Sequence, residues 1–124
     1  MSWDAELTDD RGHQEGWWNY THNTNGMIEA ALGDEIDDTL KPWWTVLGNT
    51  AMGKGSWWDL LDGSSGPEGA ALLDHIIRNL EAEPGRFKEM NPENGWGDYD
   101  GLLGVLREMR DRVPEWPTTW SVDG

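Results

Sequence analysis

Two short polar segments hold the side chains of this chain that are best suited to binding chemistry. Each is rich in asparagine, and each stands just before a predicted helix. A helix start presents backbone N–H groups without intrahelical partners and a partial positive charge. Amide and hydroxyl groups add donors and acceptors, and aromatic rings add flat walls. The candidate ligand-binding residues are Asn19, Thr21, His22 and Asn23 in the first segment and Asn91, Asn94, Trp96 and Tyr99 in the second.

If the two segments meet in space, they form a pocket with a few aimed polar groups, as a small-ligand site requires. We therefore predict that Thr21, Asn23, Asn94 and Trp96 line one concavity. The alternative is that these residues only cap helices and form turns, a common use of Asn, Thr and Gly.

The sequence offers less support for catalysis. His13, His22 and His75 do not pair at the spacing of a zinc-binding helix, and there is no cysteine. The acidic run 34–38 lacks the spaced ligands and central glycine of a calcium loop. Asp98 fits a helix cap. We expect no cofactor, no metal site and no catalytic residue, so that the protein works by binding rather than turnover, with an enzyme as a further alternative.

The net charge of −15 restricts the partners of the protein. A field of this sign repels nucleic acid and anionic membranes. It favours a basic partner protein, and it is also compatible with imitation of nucleic acid. The chain start does not resemble a signal peptide, and no apolar stretch approaches transmembrane length. We expect a cytoplasmic protein that binds neither nucleic acid directly nor membrane, with the oligomeric state left open.

Three tryptophan doublets pose a geometric problem. Neighbouring side chains point to opposite faces of a strand and diverge by about 100° in a helix. One core therefore cannot easily accept both rings of a doublet, and the second ring must pack under another element or lie at the surface. The doublets are Trp17-Trp18, Trp43-Trp44 and Trp57-Trp58.

Residue periodicity predicts the element order β-β-α-(short α)-α-α-β. Strands are predicted at 2–7 and 17–21 with a long loop between them, and a last strand at 118–122. Ser65 and Asp98 are the predicted N-caps of two long helices that end before prolines. The predicted core consists of Ile28, Leu32, Leu72, Ile76, Leu80, Leu102, Leu106 and Met109.

The expected architecture is a single α+β domain over residues 1–124. A small antiparallel sheet, made of the N-terminal hairpin and the C-terminal strand, packs on the two long helices and on short Trp-rich helical turns.

The segments 18–23 and 90–103 contain Asn-Tyr-Thr-x-Asn and Asn-Pro-x-Asn-Gly-Trp-Gly-x-Tyr. Both resemble segments of a group of small uncharacterised proteins of bacteriophages and actinobacteria, and the order of elements is similar along most of the chain. The resemblance implies a phage setting, with host cytoplasm as the place of action and counter-defence as the role, but no activity or site residue. The leading hypothesis is sequestration of a small ligand, such as a host signalling nucleotide or metabolite. The alternative is an acidic, Trp-presenting inhibitor or adaptor of a basic host protein.

Overall fold

The computed structural model describes residues 2–32, 60–93, 95 and 97–124. Within these residues, three strands and several helices form the predicted α+β fold. The doublets Trp43-Trp44 and Trp57-Trp58, the acidic run 34–38 and the short Trp-rich turns predicted around them lie outside the described residues. The elements are β1 (Ser2–Asp9), β2 (Gln14–Thr21), a 3-10 turn (His22–Thr24), α1 (Asn25–Leu32), α2 (Gly66–Ala82), α3 (Pro84–Lys88), α4 (Tyr99–Asp111) and β3 (Thr118–Asp123).

The sheet has the strand order β2-β1-β3, and both pairings are antiparallel. The C-terminal strand therefore pairs with the N-terminal hairpin, as predicted, and the strand that it pairs with is β1. Helix α2 contacts β3, α4 contacts β2, and the two helices pack against each other. The helices thus lie on the same side of the sheet, where the core forms.

The hairpin loop is shorter than the sequence predicts. The second strand begins at Gln14 rather than at residue 17. The Asp9 carboxylate accepts hydrogen bonds from the backbone N–H groups of Arg11 at 2.9 Å and His13 at 2.8 Å, which closes a tight turn. Leu7 pairs with Gly16 and Thr8 with Gln14, so Glu15 is the extra residue of an irregularity in the ladder. Because the Asp9 side chain binds the backbone of the turn, β2 extends into polar residues that the sequence predicted to be a loop.

Three tryptophans form the sheet side of the core. Trp3 and Trp120 are completely buried, and the rings of Trp18 and Trp120 lie 5.6 Å apart between centroids at a tilt of 40°. The side chain of Leu32 lies outside the description. The other predicted core residues are buried, namely Ile28, Leu72, Ile76, Leu80, Leu102, Leu106 and Met109.

Helix α2 approaches the sheet closely at Gly69. A Cβ atom at this position would overlap the Trp120 indole and crowd Leu61. The indole Nε1–H of Trp120 donates to the backbone oxygen of Gly66 at 3.2 Å. Because Gly69 has no side chain, the Trp120 indole packs directly on the backbone of α2.

Both predicted helix caps are confirmed. The Ser65 hydroxyl accepts a hydrogen bond from the N–H of Glu68 at 3.3 Å at the start of α2. The Asp98 carboxylate accepts one from the N–H of Gly101 at 2.7 Å at the start of α4. Among the helices that the structure describes, none is long and apolar enough to cross a membrane.

Truncation of Ile76 to Ala should lower the free energy of unfolding by about 2–5 kcal/mol, because it opens a cavity in a packed core. Urea unfolding measures this change. Met90→Ala is the control, since that side chain is 39% exposed and its loss should change stability by less than about 0.5 kcal/mol. Equal effects of the two substitutions would contradict the packing described above.

Candidate functional site

The structure brings the two polar motifs into contact. The Tyr20 hydroxyl, at the end of β2, accepts a hydrogen bond from the N–H of Asp98 at 3.1 Å. The same hydroxyl donates to the backbone oxygen of Asp98 at 3.3 Å. One phenol thus ties the end of the sheet to the N-cap of α4. The two segments meet, as the pocket hypothesis requires. The N–H and the backbone oxygen of Asp98 at this contact are, however, already bound by the Tyr20 hydroxyl.

Gly97 forms the closest part of this contact. Its φ of 87° lies in the left-handed region, which L side chains rarely adopt. A Cβ atom here would also overlap the methyl group of Thr21 and would lie 3.3 Å from the methyl group of Thr24. The glycine is therefore required both by its backbone conformation and by the close approach of the two segments.

At least four of the six predicted ligand-binding residues that the structure describes form hydrogen bonds within the protein through their side chains. Asn19 donates from its amide to the Ser2 hydroxyl at 2.9 Å and the Asp4 carboxylate at 2.8 Å. The Thr21 hydroxyl accepts from the N–H of Asn23 at 3.2 Å and caps the 3-10 turn. The amide oxygen of Asn91 accepts from the N–H of Tyr99 at 2.9 Å. The bonds of Thr21 and Asn91 position helix starts, as the alternative interpretation of the motifs requires, and those of Asn19 join β2 to β1.

Tyr99 differs from the aromatic wall that we expected. Its side chain is 4% exposed, and its hydroxyl donates to the backbone oxygen of Leu80 at 2.7 Å. Burial raises the pKa of Tyr99 above its ordinary value, because it disfavours the phenolate. Its position one residue after the cap places the ring over α2 rather than in a cleft. His22 is half-buried and Asn23 is exposed, whereas Asn94 and Trp96 lie outside the described residues.

The first tryptophan doublet behaves as strand geometry requires. Trp18 points into the core and is 7% exposed, whereas Trp17 points away from it and is 54% exposed. Trp17 pairs directly with Glu6 on β1. We call the side of the sheet opposite the helices the outer face. Its residues are Asp4, Glu6, Thr8, Trp17, Asn19, Thr119, Ser121 and Asp123.

The outer face is acidic. Three of its eight residues are carboxylates, namely Asp4, Glu6 and Asp123, and none is Lys, Arg or His. Asp4 pairs directly with Asp123 across β1 and β3. Directly opposed like charges destabilise a sheet. Donation from the Asn19 amide to Asp4 offsets part of this repulsion.

A second exposed ring, Trp116, stands at the hairpin end of the sheet. It is 55% exposed, and its indole N–H donates to the Glu15 carboxylate at 2.9 Å. Two open concavities adjoin this ring, with volumes of about 450 and 300 Å³. Sequence reasoning treated Pro114 and Pro117 only as helix stops and missed the ring between them. A tryptophan between two prolines, outside every periodic segment, was the available signal.

The described residues include no group of three or more His, Asp or Glu side chains that could hold a metal ion. No protein-family model, no curated protein and no solved structure matches the chain. The function must therefore be inferred from the surfaces themselves.

Gly97→Ala should destabilise the protein more than Gly95→Ala. Both glycines have positive φ, at 87° and 74°, but among the described residues only the added Cβ of Gly97 would meet a neighbour within 4 Å. Each substitution should cost more than about 1 kcal/mol from the backbone alone, and the excess at position 97 reports the contact with Thr21. Thermal unfolding measures both.

Thr21→Ser provides the matched test of this contact, because it removes the overlapping methyl group and keeps the hydroxyl that accepts from Asn23. Added to Gly97→Ala, it should recover most of the excess destabilisation. Equal losses for the two glycine variants, with no recovery, would contradict the contact.

The hairpin turn should weaken in acid. The backbone N–H of His13, followed by that of Arg11, lowers the pKa of Asp9 below its ordinary value of 3.8. The stability that this carboxylate contributes is therefore present above pH 3.8 and is lost as the pH falls through the lower folded-state pKa. The difference in unfolding free energy between the wild type and Asp9→Asn should be largest near neutral pH and should shrink below pH 3.8. A difference independent of pH would contradict this role.

Proposed function

We propose that this protein is a non-catalytic inhibitor or adaptor that binds a basic partner protein through the outer face of its sheet. The observation that carries the proposal is the exposed ring of Trp17 in a face whose charged residues are carboxylates. Tryptophan is enriched among residues that dominate the energy of protein interfaces. A ring that is 54% exposed stabilises the fold much less than the buried tryptophans of the core do.

The arrangement of charge supports a cationic partner. Glu6 lies directly beside Trp17, and Asp4 lies opposite Asp123 in the next row. This opposition of like charges disfavours the isolated fold. A Lys or Arg side chain placed over the row would relieve it, and such complementarity chiefly raises the association rate and the specificity. The net charge of −15 acts in the same direction over longer distances.

The resemblance to phage proteins supports a host protein as the partner and the host cytoplasm as the place of action. Under this proposal the protein is a counter-defence factor, which occupies a basic surface that the host protein uses for another anionic ligand. Nucleic acid is one such ligand, so imitation of its charge is part of the same proposal.

Sequestration of a small ligand is the second candidate. Its support is the contact between the Tyr20–Thr21 and Gly97–Asp98 segments. Binding of a partner protein is favoured over this candidate, because four of the predicted ligand-binding residues already form hydrogen bonds within the protein. These residues are Asn19, Thr21, Asn91 and Tyr99. The predicted pocket with Asn94 and Trp96 stays a prediction, because both residues lie outside the described part of the chain.

Affinity capture from a bacterial extract, quantified by mass spectrometry, tests the proposal. The wild type should capture a basic protein, and Trp17→Ala should reduce its recovery by at least about tenfold, as loss of a central interface ring does. Raising NaCl from about 50 to about 500 mM should weaken the purified complex strongly, because exposed charges are screened.

Two matched controls separate the outer face from general acidity. Asp4→Asn with Glu6→Gln should reduce capture, whereas Glu89→Gln with Glu93→Gln removes the same charge from exposed residues elsewhere and should leave capture almost unchanged. Met90→Ala removes an exposed apolar side chain away from the sheet and should also have little effect. Capture that depends equally on all of these residues would overturn the proposal.

A further inference from the structure

Two concavities share the walls Trp116 and Pro117 at the hairpin end of the sheet. The larger, of about 450 Å³, is otherwise lined by Asp9, Asp10, Arg11 and Glu15. The smaller, of about 300 Å³, is otherwise lined by Ser65, Pro67, Pro114, Glu115 and Thr118. An occupant of both concavities therefore contacts Trp116 and Pro117.

Trp116 is held in place before any partner arrives. Pro114 and Pro117 restrict the backbone on either side of it, because each proline ring fixes its own φ. The indole N–H is bound to the Glu15 carboxylate at 2.9 Å, which restricts rotation of the ring. A partner therefore loses little binding energy in ordering this side chain, although the ring is 55% exposed.

The larger concavity has the chemistry of a site for a cationic side chain. Three carboxylates line it beside one arginine, and the Asp9 carboxylate is turned to the backbone of the hairpin. Asp10 and Glu15 supply the remaining negative charge, and Glu15 lies directly at the indole. A guanidinium stacks on an aromatic face and binds carboxylates through its planar N–H groups, which an ammonium does less well.

The smaller concavity is shaped mainly by rigid apolar rings. Pro67, Pro114 and Pro117 line it together with Trp116. Grooves lined by aromatic rings bind extended proline-rich segments, whose polyproline conformation is already present before binding. A proline ring of the partner thus fits this side better than a charged residue does.

We propose that the two concavities bind an extended segment of the partner protein that carries a proline and an arginine. The arginine lies in the larger concavity near Asp10 and Glu15, and the proline lies in the smaller one. The two concavities share Trp116 and Pro117 as walls, so their occupants lie close together. A polyproline helix rises about 3.1 Å per residue, so we place the two residues two or three positions apart, about 6–9 Å.

This inference rests on the proposed function only in taking the occupant to be part of a basic protein. Trp17 and the outer face are not needed for it. The two surfaces are therefore tested separately, with Trp17 and Trp116 as matched rings that are exposed by 54% and 55%.

The experiment uses a fluorescein-labelled peptide, Ala-Pro-Pro-Ala-Arg-Ala, and fluorescence anisotropy with the full-length protein. The wild type should bind it, and Trp116→Ala should weaken binding by at least about tenfold, as expected for a central aromatic contact. Trp17→Ala should change the affinity by less than about twofold, because that ring is not at the groove. Thermal unfolding checks that both variants fold, which is expected for exposed positions.

Peptide and charge exchanges make the test specific. Replacing the arginine of the peptide by glutamate, or both prolines by glycine, should remove measurable binding. Asp10→Arg should abolish binding of the arginine peptide and create binding of the glutamate peptide, since opposite charges are then matched again. Self-association of the wild type that Trp116→Ala abolishes, with no peptide binding, would assign the groove to a second copy of the chain and overturn the inference.

Failure of this inference and failure of the proposed function give different results. No binding of the peptide by the wild type, or equal loss with Trp17→Ala and Trp116→Ala, overturns the groove and leaves capture through the outer face intact. Peptide binding that needs Trp116, together with capture that ignores Trp17, supports the groove and overturns the outer face.

Discussion

The alternation of side chains along three short strands is the constraint on which the rest of this structure depends. Trp17 and Trp18 are adjacent in sequence, yet one is 54% and the other 7% exposed. Neighbouring residues of a strand point to opposite faces. When Trp18 packs under the helices on one side of the sheet, Trp17 must therefore lie on the opposite side. The buried side receives Trp3, Trp18 and Trp120, and the outer face receives Trp17 and the carboxylates.

The polar motifs hold the start of α4 against the end of β2 and so keep the helices on one side of the sheet. Tyr20 reaches the N-cap of α4, and Gly97 allows the chain to pass against Thr21. Each hydrogen bond contributes only about 0.5–1.5 kcal/mol, but an unpaired buried partner would cost more. Asparagine-rich segments before helices therefore have a structural explanation here.

The sequence predicted the periodic parts of the fold well. The strands and the caps Ser65 and Asp98 follow from local patterns. The pairing of the last strand with the N-terminal hairpin followed from the need to join three short strands in one sheet, which left the partner strand open. The hairpin loop was predicted too long, because the turn depends on one carboxylate, that of Asp9, binding two backbone N–H groups.

Prediction of the candidate sites was weaker for a physical reason. The contact between the motifs joins residues almost eighty positions apart in sequence, such as Tyr20 and Asp98, which no local pattern encodes. Tyr99 has the same appearance in sequence whether its ring enters a cleft or the core. The importance of Trp116 arises from walls that come from the hairpin, the start of α2 and the segment before β3.

The sheet has one face in the core and one outer face with an exposed tryptophan. Indole N–H signals of the 15N-labelled protein, assigned with single Trp→Phe variants and recorded with a soluble paramagnetic agent, test this division. The signals of Trp17 and Trp116 should broaden strongly, and those of Trp3, Trp18 and Trp120 should be protected, in line with their burial. Protection of Trp17 equal to that of Trp18 would contradict this division, because the outer face would then be covered in the free protein.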